Sequence, residues 1–298
     1  MEYHNPVLLK ESVDGLNIKP GGIYVDVTFG GGGHSKEILS RLGPNGKLFA
    51  FDQDEDAQKN AIPDNRFQLI HENFRFIKRF LRFYGIKEVD GILADLGVSS
   101  HQFDVPERGF STRFDAELDM RMSQRGKLNA FHVVNDYDEQ TLKKVFFDFG
   151  ELKNAGALAN TIVNSRKEEP IKNSEQLKKV LSKFLPEHKS HKILAQIYQA
   201  IRIEVNQEIE ALKEFLEQSL DILKPEGRLS VISYHSLEDR LVKRFMRNGL
   251  FEGEPERDFF GNFSVPFTNV EKLIVPTNSE IHSNNRARSA KLRVAEKK

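Results

Sequence analysis

The sequence predicts an α/β fold in which a parallel sheet covered by helices is interrupted by an all-helical inserted domain. Three observations carry that prediction. Over the first ~100 residues, short apolar or β-branched runs alternate with helical patterns, the order that builds a parallel sheet. The alternation stops after Asp95, and no further buried-type strand occurs before Gly227–Ser233, well beyond the ~30 residues of a parallel crossover. Between them, apolar residues recur at helical spacing.

Gly22-Ile23-Tyr24-Val25-Asp26-Val27-Thr28 reads as the first strand and runs into Phe29-Gly30-Gly31-Gly32-Gly33-His34-Ser35. Lys36 to Leu42 reads as a helix with Ile38, Leu39 and Leu42 on one face, closed by Gly43-Pro44. Lys47 to Phe51 is a second strand ending at Asp52; Arg66 to His71 is a third, ending near Asn73-Phe74; Val89 to Ala94 is a fourth, ending at Asp95. In the insertion, Leu142, Val145, Phe146 and Phe149 share a helix face, as do Leu177, Val180, Leu181 and Phe184. Asp136 to Glu139 and Asn173 to Gln176 have the spacing of capping boxes. A long helical stretch is expected from about Ile193 to Leu223, stopping at Lys224-Pro225. The domain limits expected from this pattern are 106–192 for the insertion, with 1–105 and 193–298 forming the sheet domain. Lys272 to Val275 and Ser289 to Glu296 read as two last strands that close the sheet as an antiparallel hairpin.

Composition narrows the chemistry. The chain has 298 residues, 39% hydrophobic and 30% charged, and a mean hydropathy of -0.50, which fits a soluble globular protein. No run approaches the ~18 apolar residues of a membrane span, and Met1 to Pro6 lacks the basic-then-apolar pattern of a signal peptide, so a cytoplasmic protein is expected. The absence of cysteine excludes disulfides, thiolate metal sites, iron–sulfur clusters and cysteine nucleophiles together. With 44 basic against 44 acidic residues, only the local distribution of charge can point to a polyanionic partner. Twenty-three Phe and no Trp supply mainly core, although stacking on bases uses the same rings.

A glycine-rich turn straight after a strand and opening a helix lets backbone approach a ligand closely. Asp52 follows ~20 residues later at the next strand end, where a carboxylate takes the two hydroxyls of an adenosine ribose. That pair of features alone serves a dinucleotide or S-adenosylmethionine equally. Two observations favour the second. The residue three positions after the G-x-G is not the small one that packs a helix against a pyrophosphate loop, since Ser35 and Lys36 stand there. In addition, Asp26, Thr28, Asp52, Asn73 and Asp95 place a polar side chain at every strand end, a rim that a phosphate-free ligand tolerates and a pyrophosphate does not.

The segments Asp26-x-Thr28-x-Gly30-x-Gly32-Gly33-His34-Ser35, Asp90-Gly91-Ile92-Leu93-Ala94-Asp95-Leu96-Gly97-Val98-Ser99-Ser100-x-Gln102, Arg108-Gly109-Phe110-Ser111, Leu118-Asp119-Met120-Arg121-Met122, Gln199-Ala200-Ile201-Arg202-Ile203-x-Val205-Asn206, Gly227 to Arg240 and Arg286-x-Arg288-Ser289-Ala290-x-Leu292-Arg293 closely resemble the bacterial ribosomal RNA small-subunit methyltransferase H family, in order and over nearly the whole chain. The resemblance implies a class I S-adenosylmethionine-dependent methyltransferase with a Rossmann-like sheet and an inserted helical domain that helps recognise substrate. It implies methylation of the exocyclic N(4) of a cytidine in the decoding region of 16S rRNA in the small ribosomal subunit, with S-adenosyl-L-methionine as cofactor and no metal. It places cofactor contacts on Gly32, Gly33, His34, Asp52, Phe74, Asp95 and Gln102. This chain departs from the family at His191-Lys192-Ile193-Leu194-Ala195, Phe149-Gly150-Glu151-Leu152 and Asn284-Asn285, all away from those contacts.

The missing cysteine bears on mechanism independently, because methylation at pyrimidine carbon-5 needs a covalent thiolate adduct. An exocyclic amine can attack directly if acceptors draw on its N–H groups. Asp95 is placed for that role or for holding the amino-acid end of the cofactor. Phe110, Tyr234 and His235 are candidates for stacking on a flipped base, with Tyr234 and His235 on the catalytic side. His34 and His235 serve equally as loop caps, and His188 and His191 lack an acidic partner at metal-ligand spacing. Arg240, Lys243, Arg244 and Arg247 form a helical stripe, and the tail adds Arg286, Arg288, Lys291, Arg293, Lys297 and Lys298. Together with Arg108 they are expected to form an RNA-binding rim. A nicotinamide oxidoreductase leaves the basic tail unexplained, and a non-catalytic RNA-binding protein has no need of the polar rim.

Overall fold

The computed structural model describes residues 6–257, 259–261, 263–270 and 272–298; residues 1–5, most of the N-terminal stretch that lacks a signal-peptide pattern, lie outside these. The chain divides into two compact units, Met1–Gly97 with Ile209–Lys298, and Val98–Glu208.

The first unit begins with α1 (Leu9–Gly15), β1 (Ile23–Asp26), α2 (Gly33–Arg41), β2 (Lys47–Phe51), β3 (Phe67–Ile70), α3 (Ile77–Phe83) and β4 (Val89–Asp95). The second unit holds α4 (Ser100–Asp104), α5 (Ala130–Asp136), α6 (Glu139–Asp148), α7 (Ala155–Ser165), α8 (Ser174–Val180) and α9 (Ser190–Asn206). The first then resumes with α10 (Glu208–Ile222), β5 (Leu223–Ser233), α11 (Ser236–Asn248), β6 (Phe267–Asn269), α12 (Asn278–Ser283) and β7 (Lys291–Lys297).

Among the described residues, seven strands form one sheet in the order β3-β2-β1-β4-β5-β7-β6, the class I arrangement expected from the resemblance. β1 to β5 are parallel; β7 runs antiparallel to both β5 and β6. Because side chains alternate across a strand, neighbouring residues serve opposite layers. Val25, Phe49, Ile92 and Ala94 pack with Leu212, Phe215, Val242 and Phe245 of α10 and α11, while Tyr24, Leu48 and Leu93 pack with Val13, Leu16, Ile38 and Leu39 of α1 and α2. Each fully buried aliphatic or aromatic side chain there contributes roughly 1.5–3 kcal/mol. The strand order reverses between β1 and β4, so the carboxyl ends of these two adjacent strands flank the crevice where such sheets take ligands.

The second unit has its own core, in which Leu118, Val133, Val134, Leu142, Phe146, Leu158, Ile162 and Leu177 are fully buried or nearly so. It spans 98–208 rather than 106–192, because Leu194, Ile197, Tyr198, Ile201 and Val205 of α9 belong to that core. The long helical stretch expected from about Ile193 to Leu223 consists of two helices, α9 and α10. Gln207, at φ 50 and ψ 42, ends α9 in the left-handed region before α10 starts, and hydrophobic periodicity carries on across the break. Asn173 and Gln176 do form a capping box, whereas α6 is capped by Asp138, which accepts from Thr141 N–H. The strand expected at 272–275 reduces to one bridge, Ile274 with Leu292, and β7 pairs instead with β6.

Candidate active site

The turn between β1 and α2 is built around a buried acid. Asp26, with 0% exposure, accepts from Ser35 Oγ at 2.7 Å and Thr28 N–H at 3.1 Å, which ties the helix start to the strand end. Burial pushes its carboxyl up, against the pull of nearby His34. Asp26 thus shapes the turn from inside the fold. Gly32 has φ 76, and a Cβ there would stand 2.9 Å from the Phe29 ring; a Cβ on Gly33 would stand 2.1 Å from Pro6 Cγ. Both positions therefore require glycine. Gly30, at φ 50, has nothing within 4 Å of its Cβ direction, so the turn is open on that side.

Asp52 closes the β2 side. Its Oδ2 accepts from Gly30 N–H at 2.7 Å and its Oδ1 from Asp54 N–H at 2.8 Å. Burial holds its carboxyl up to about 6 even so. Each oxygen keeps a second lone pair for a donor such as a sugar hydroxyl. Asn73, after β3, donates to Gln53 Oε1 at 2.8 Å and caps the turn that carries Phe74, whose half-buried ring meets Phe215 edge-on at 5.4 Å.

Asp95 closes the β4 side. Its N–H donates to Thr28 Oγ1 at 2.6 Å, and its Oδ1 accepts the Tyr234 hydroxyl at 2.7 Å. Its Oδ2 lies 4.0 Å from His34 Nδ1. Burial pushes this carboxyl up to about 6, opposed by His34 and by the Tyr234 hydrogen bond. Burial, with Asp95 beside it, raises the Tyr234 phenol well above its ordinary value, so the phenol stays a donor. His34 Nε2 meets the Val7 carbonyl at 3.2 Å. Gly32, Gly33, His34, Asp52, Asp95 and Tyr234 thus gather around the β1 and β4 strand ends. The cluster offers carboxylate acceptors and no cradle of cations, which suits hydroxyl, ammonium and amine donors and repels a pyrophosphate.

Other expected site residues fall differently. His235 caps α11: its Nδ1 accepts from Glu238 N–H at 3.4 Å, while its buried Nε2 stands 3.0 Å from Glu238 Oε1 without forming a hydrogen bond. In the second unit, Gln102 is buried and its Oε1 accepts Ser99 N–H at 3.1 Å within a capping box. The expected RNA contacts at Arg108 and Phe110 do not fit the structure. Arg108 is 6% exposed and donates to the carbonyls of Arg121 and Met122, and Phe110 is 4% exposed in the helical core, because a loop that must bury its backbone uses both side chains to do so.

The basic stripe is real. Arg240, Lys243, Arg244 and Arg247 all lie on α11, opposite the buried Val242, Phe245 and Met246. Lys243 and Arg247 border a cleft of about 380 Å³ together with Lys272, a cation that no helical spacing linked to the stripe. The tail is less available than expected. Lys291 and Arg293 are paired with Asp239 at 3.1 and 2.8 Å, and Lys297 Nζ donates to the Leu220 and Leu223 carbonyls. Arg288 is exposed and Arg286 half-buried.

A family profile described as "MraW methylase family" matches residues 1–298. A Flavobacterium johnsoniae protein named "Ribosomal RNA small subunit methyltransferase H" is 78% identical over 297 residues, covering 100% of this chain and 98% of that protein. Proteins of the same name from Flavobacterium psychrophilum (74% over 291 residues, 98% of this chain and 100% of that protein) and Bacteroides thetaiotaomicron (56% over 299 residues, 100% and 98%) are also similar.

Proposed function

Because the chain belongs to the MraW methylase family, we propose that it transfers a methyl group from S-adenosylmethionine to the exocyclic N(4) amine of a cytidine in the decoding region of 16S rRNA, in the small ribosomal subunit. The observation that carries the site assignment is geometric: Asp52, bonded to Gly30 N–H, and Asp95, bonded to Thr28 Oγ1 and Tyr234, stand on either side of the glycine turn. When bound, S-adenosylmethionine supplies an electrophilic methyl on a sulfonium. Asp52 accepts from the ribose hydroxyls with the lone pairs its two backbone donors leave. Gly32, Gly33 and His34 let backbone approach the ligand, and Phe74 offers a ring edge for the adenine.

Asp95 does the acid–base work. The cytosine amine lone pair is conjugated with the ring, so an acceptor on its N–H raises its nucleophilicity. With the methyl donor bound, the Asp95 carboxylate would accept the one proton that the amine nitrogen gives up on methylation. Tyr234, donating to Oδ1, keeps that carboxylate oriented. We assign no metal to this step, since direct attack by the amine balances without one.

For the RNA, we assign phosphate contacts to Arg240, Lys243 and Arg244, with Arg286 and Arg288. We assign substrate recognition to the helical unit and keep Gln102 as the cofactor contact that the resemblance implies. An enzyme acting on ribosomal subunits works in the cytoplasm, and no helix among the described residues is long and apolar enough to cross a membrane. The test is reaction on small subunits from a strain lacking the enzyme, followed by nuclease digestion and mass spectrometry. N(4)-methylcytidine is expected; methyl on a ribose oxygen or on adenine would overturn the assignment.

A further inference from the structure

Residues 6–8 lie directly on the glycine turn. Pro6 sits where a Cβ on Gly33 would go, and the Val7 carbonyl meets His34 Nε2. Val7 and Leu8 also join Ile232, Ala287, Ala290 and Leu292 in an apolar cluster against which Tyr234 packs. One short segment therefore meets His34 directly and shares an apolar cluster with Tyr234, the two side chains that flank Asp95. Leu8 is held at φ 49 and ψ 38, a left-handed conformation that a non-glycine residue keeps only where its surroundings impose it. The restraint comes from far along the chain: Glu280 Oε1 accepts the Leu8 N–H at 2.7 Å. Glu280 is itself placed by the start of α12, where its N–H donates to Thr277 Oγ1 at 3.2 Å.

We propose that Glu280 is a positioning residue of the methyl-transfer site, fixing residues 6–8 so that His34 and Tyr234 stand correctly about Asp95 and the glycine turn keeps the shape its ligand needs. The inference rests on the assignment of that turn and of Asp95 to methyl transfer. Glu280 acts chiefly through the Leu8 N–H, where an oxygen acceptor is what matters, and its charge adds a smaller push that raises the Tyr234 phenol.

The experiment compares wild type, Glu280→Ala and Glu280→Gln by calorimetric binding of S-adenosylhomocysteine and by kcat and KM for S-adenosylmethionine on small subunits. Glu280→Ala should raise Kd and KM about tenfold, the scale of losing one charged hydrogen bond, and lower kcat. Glu280→Gln, which keeps an oxygen acceptor, should stay within about threefold of wild type on the same scale. A merely structural role would lower the melting temperature and the active fraction while leaving KM unchanged, and that result overturns the proposal. So does equal impairment of the two variants. Should Glu280→Ala fail to fold, Glu280→Asp keeps the charge but withdraws the acceptor by one methylene; a several-fold rise in KM is expected, and an unchanged KM overturns the proposal. A wild-type protein that does not bind S-adenosylhomocysteine would instead overturn the site assignment, and this inference with it.

Discussion

Affinity for S-adenosylhomocysteine should rise between about pH 5 and about pH 7, because the ribose hydroxyls bind the ionised form of Asp52. Burial holds that carboxyl up to about 6, and the Gly30 and Asp54 N–H donors, at 2.7 and 2.8 Å, restrain it from rising further. With a pKa of about 6, roughly one-tenth of the Asp52 is ionised at the lower pH and roughly nine-tenths at the upper, a roughly ninefold gain in affinity from this group alone. Asp95 also titrates at about 6, so if the ligand's ammonium requires its ionised form the two factors multiply to roughly eightyfold. The ligand itself has no group titrating in this window. Calorimetric titration in two buffers of different ionisation enthalpy measures both the affinity and the number of protons released. At about pH 5, where roughly nine-tenths of Asp52 is protonated, Asp52→Asn should remove close to one released proton from the count. Affinity that is flat or falls over this range, or a count unchanged in Asp52→Asn, would refute the reasoning.

The same carboxyls act in the opposite sense on the unliganded fold. Asp52 and Asp95 bind protons more tightly folded than unfolded, so their contribution is fully present below about pH 4 and is lost as pH rises through about 6. The loss is about 2 kcal/mol each once partial solvent access is allowed for, and a urea midpoint that climbs with pH across this window would contradict it. Asp95→Asn should retain the fold and cut turnover by ~10²-fold or more, with a smaller change in cofactor Kd; a loss confined to Kd reassigns Asp95 to binding. Replacing Arg240, Lys243 and Arg244 by Ala should lower the salt slope of RNA binding by roughly one unit for each phosphate no longer neutralised while S-adenosylhomocysteine binding holds, and an unchanged slope makes the stripe an ordinary solvated face. Phe110→Ala should cost about 3–5 kcal/mol in urea unfolding, as for a buried aromatic, and a neutral result would put that ring outside the core.

Much of the site was legible in the sequence because it depends on local features. Short β-branched runs ending in Gly30–Gly33, Asp52 and Asp95 mark strand ends, and strand ends on one side of a parallel sheet converge whatever the intervening helices do. The α11 stripe was legible for the same reason, since four cations at helical spacing need only the helix to share a face. The helix break at Gln207 was not, because apolar periodicity runs through a single left-handed residue. Nor were the roles of Arg108 and Phe110, for a basic or aromatic loop residue reads alike whether it meets a ligand or fills a core. Residue type and spacing by themselves determined β1 to β5 and β7, the glycine turn and the acids at its edge, but not β6. Only the tertiary structure decided which groups those acids meet. Tyr234 reaches Asp95 across 139 positions and Glu280 reaches Leu8 across 272, proximities set by the β4–β5 pairing and by the return of the C-terminal segment to the sheet. Hydrophobic period is a property of neighbouring residues, whereas a buried polar group takes whatever partner the chain's path brings within about 3 Å.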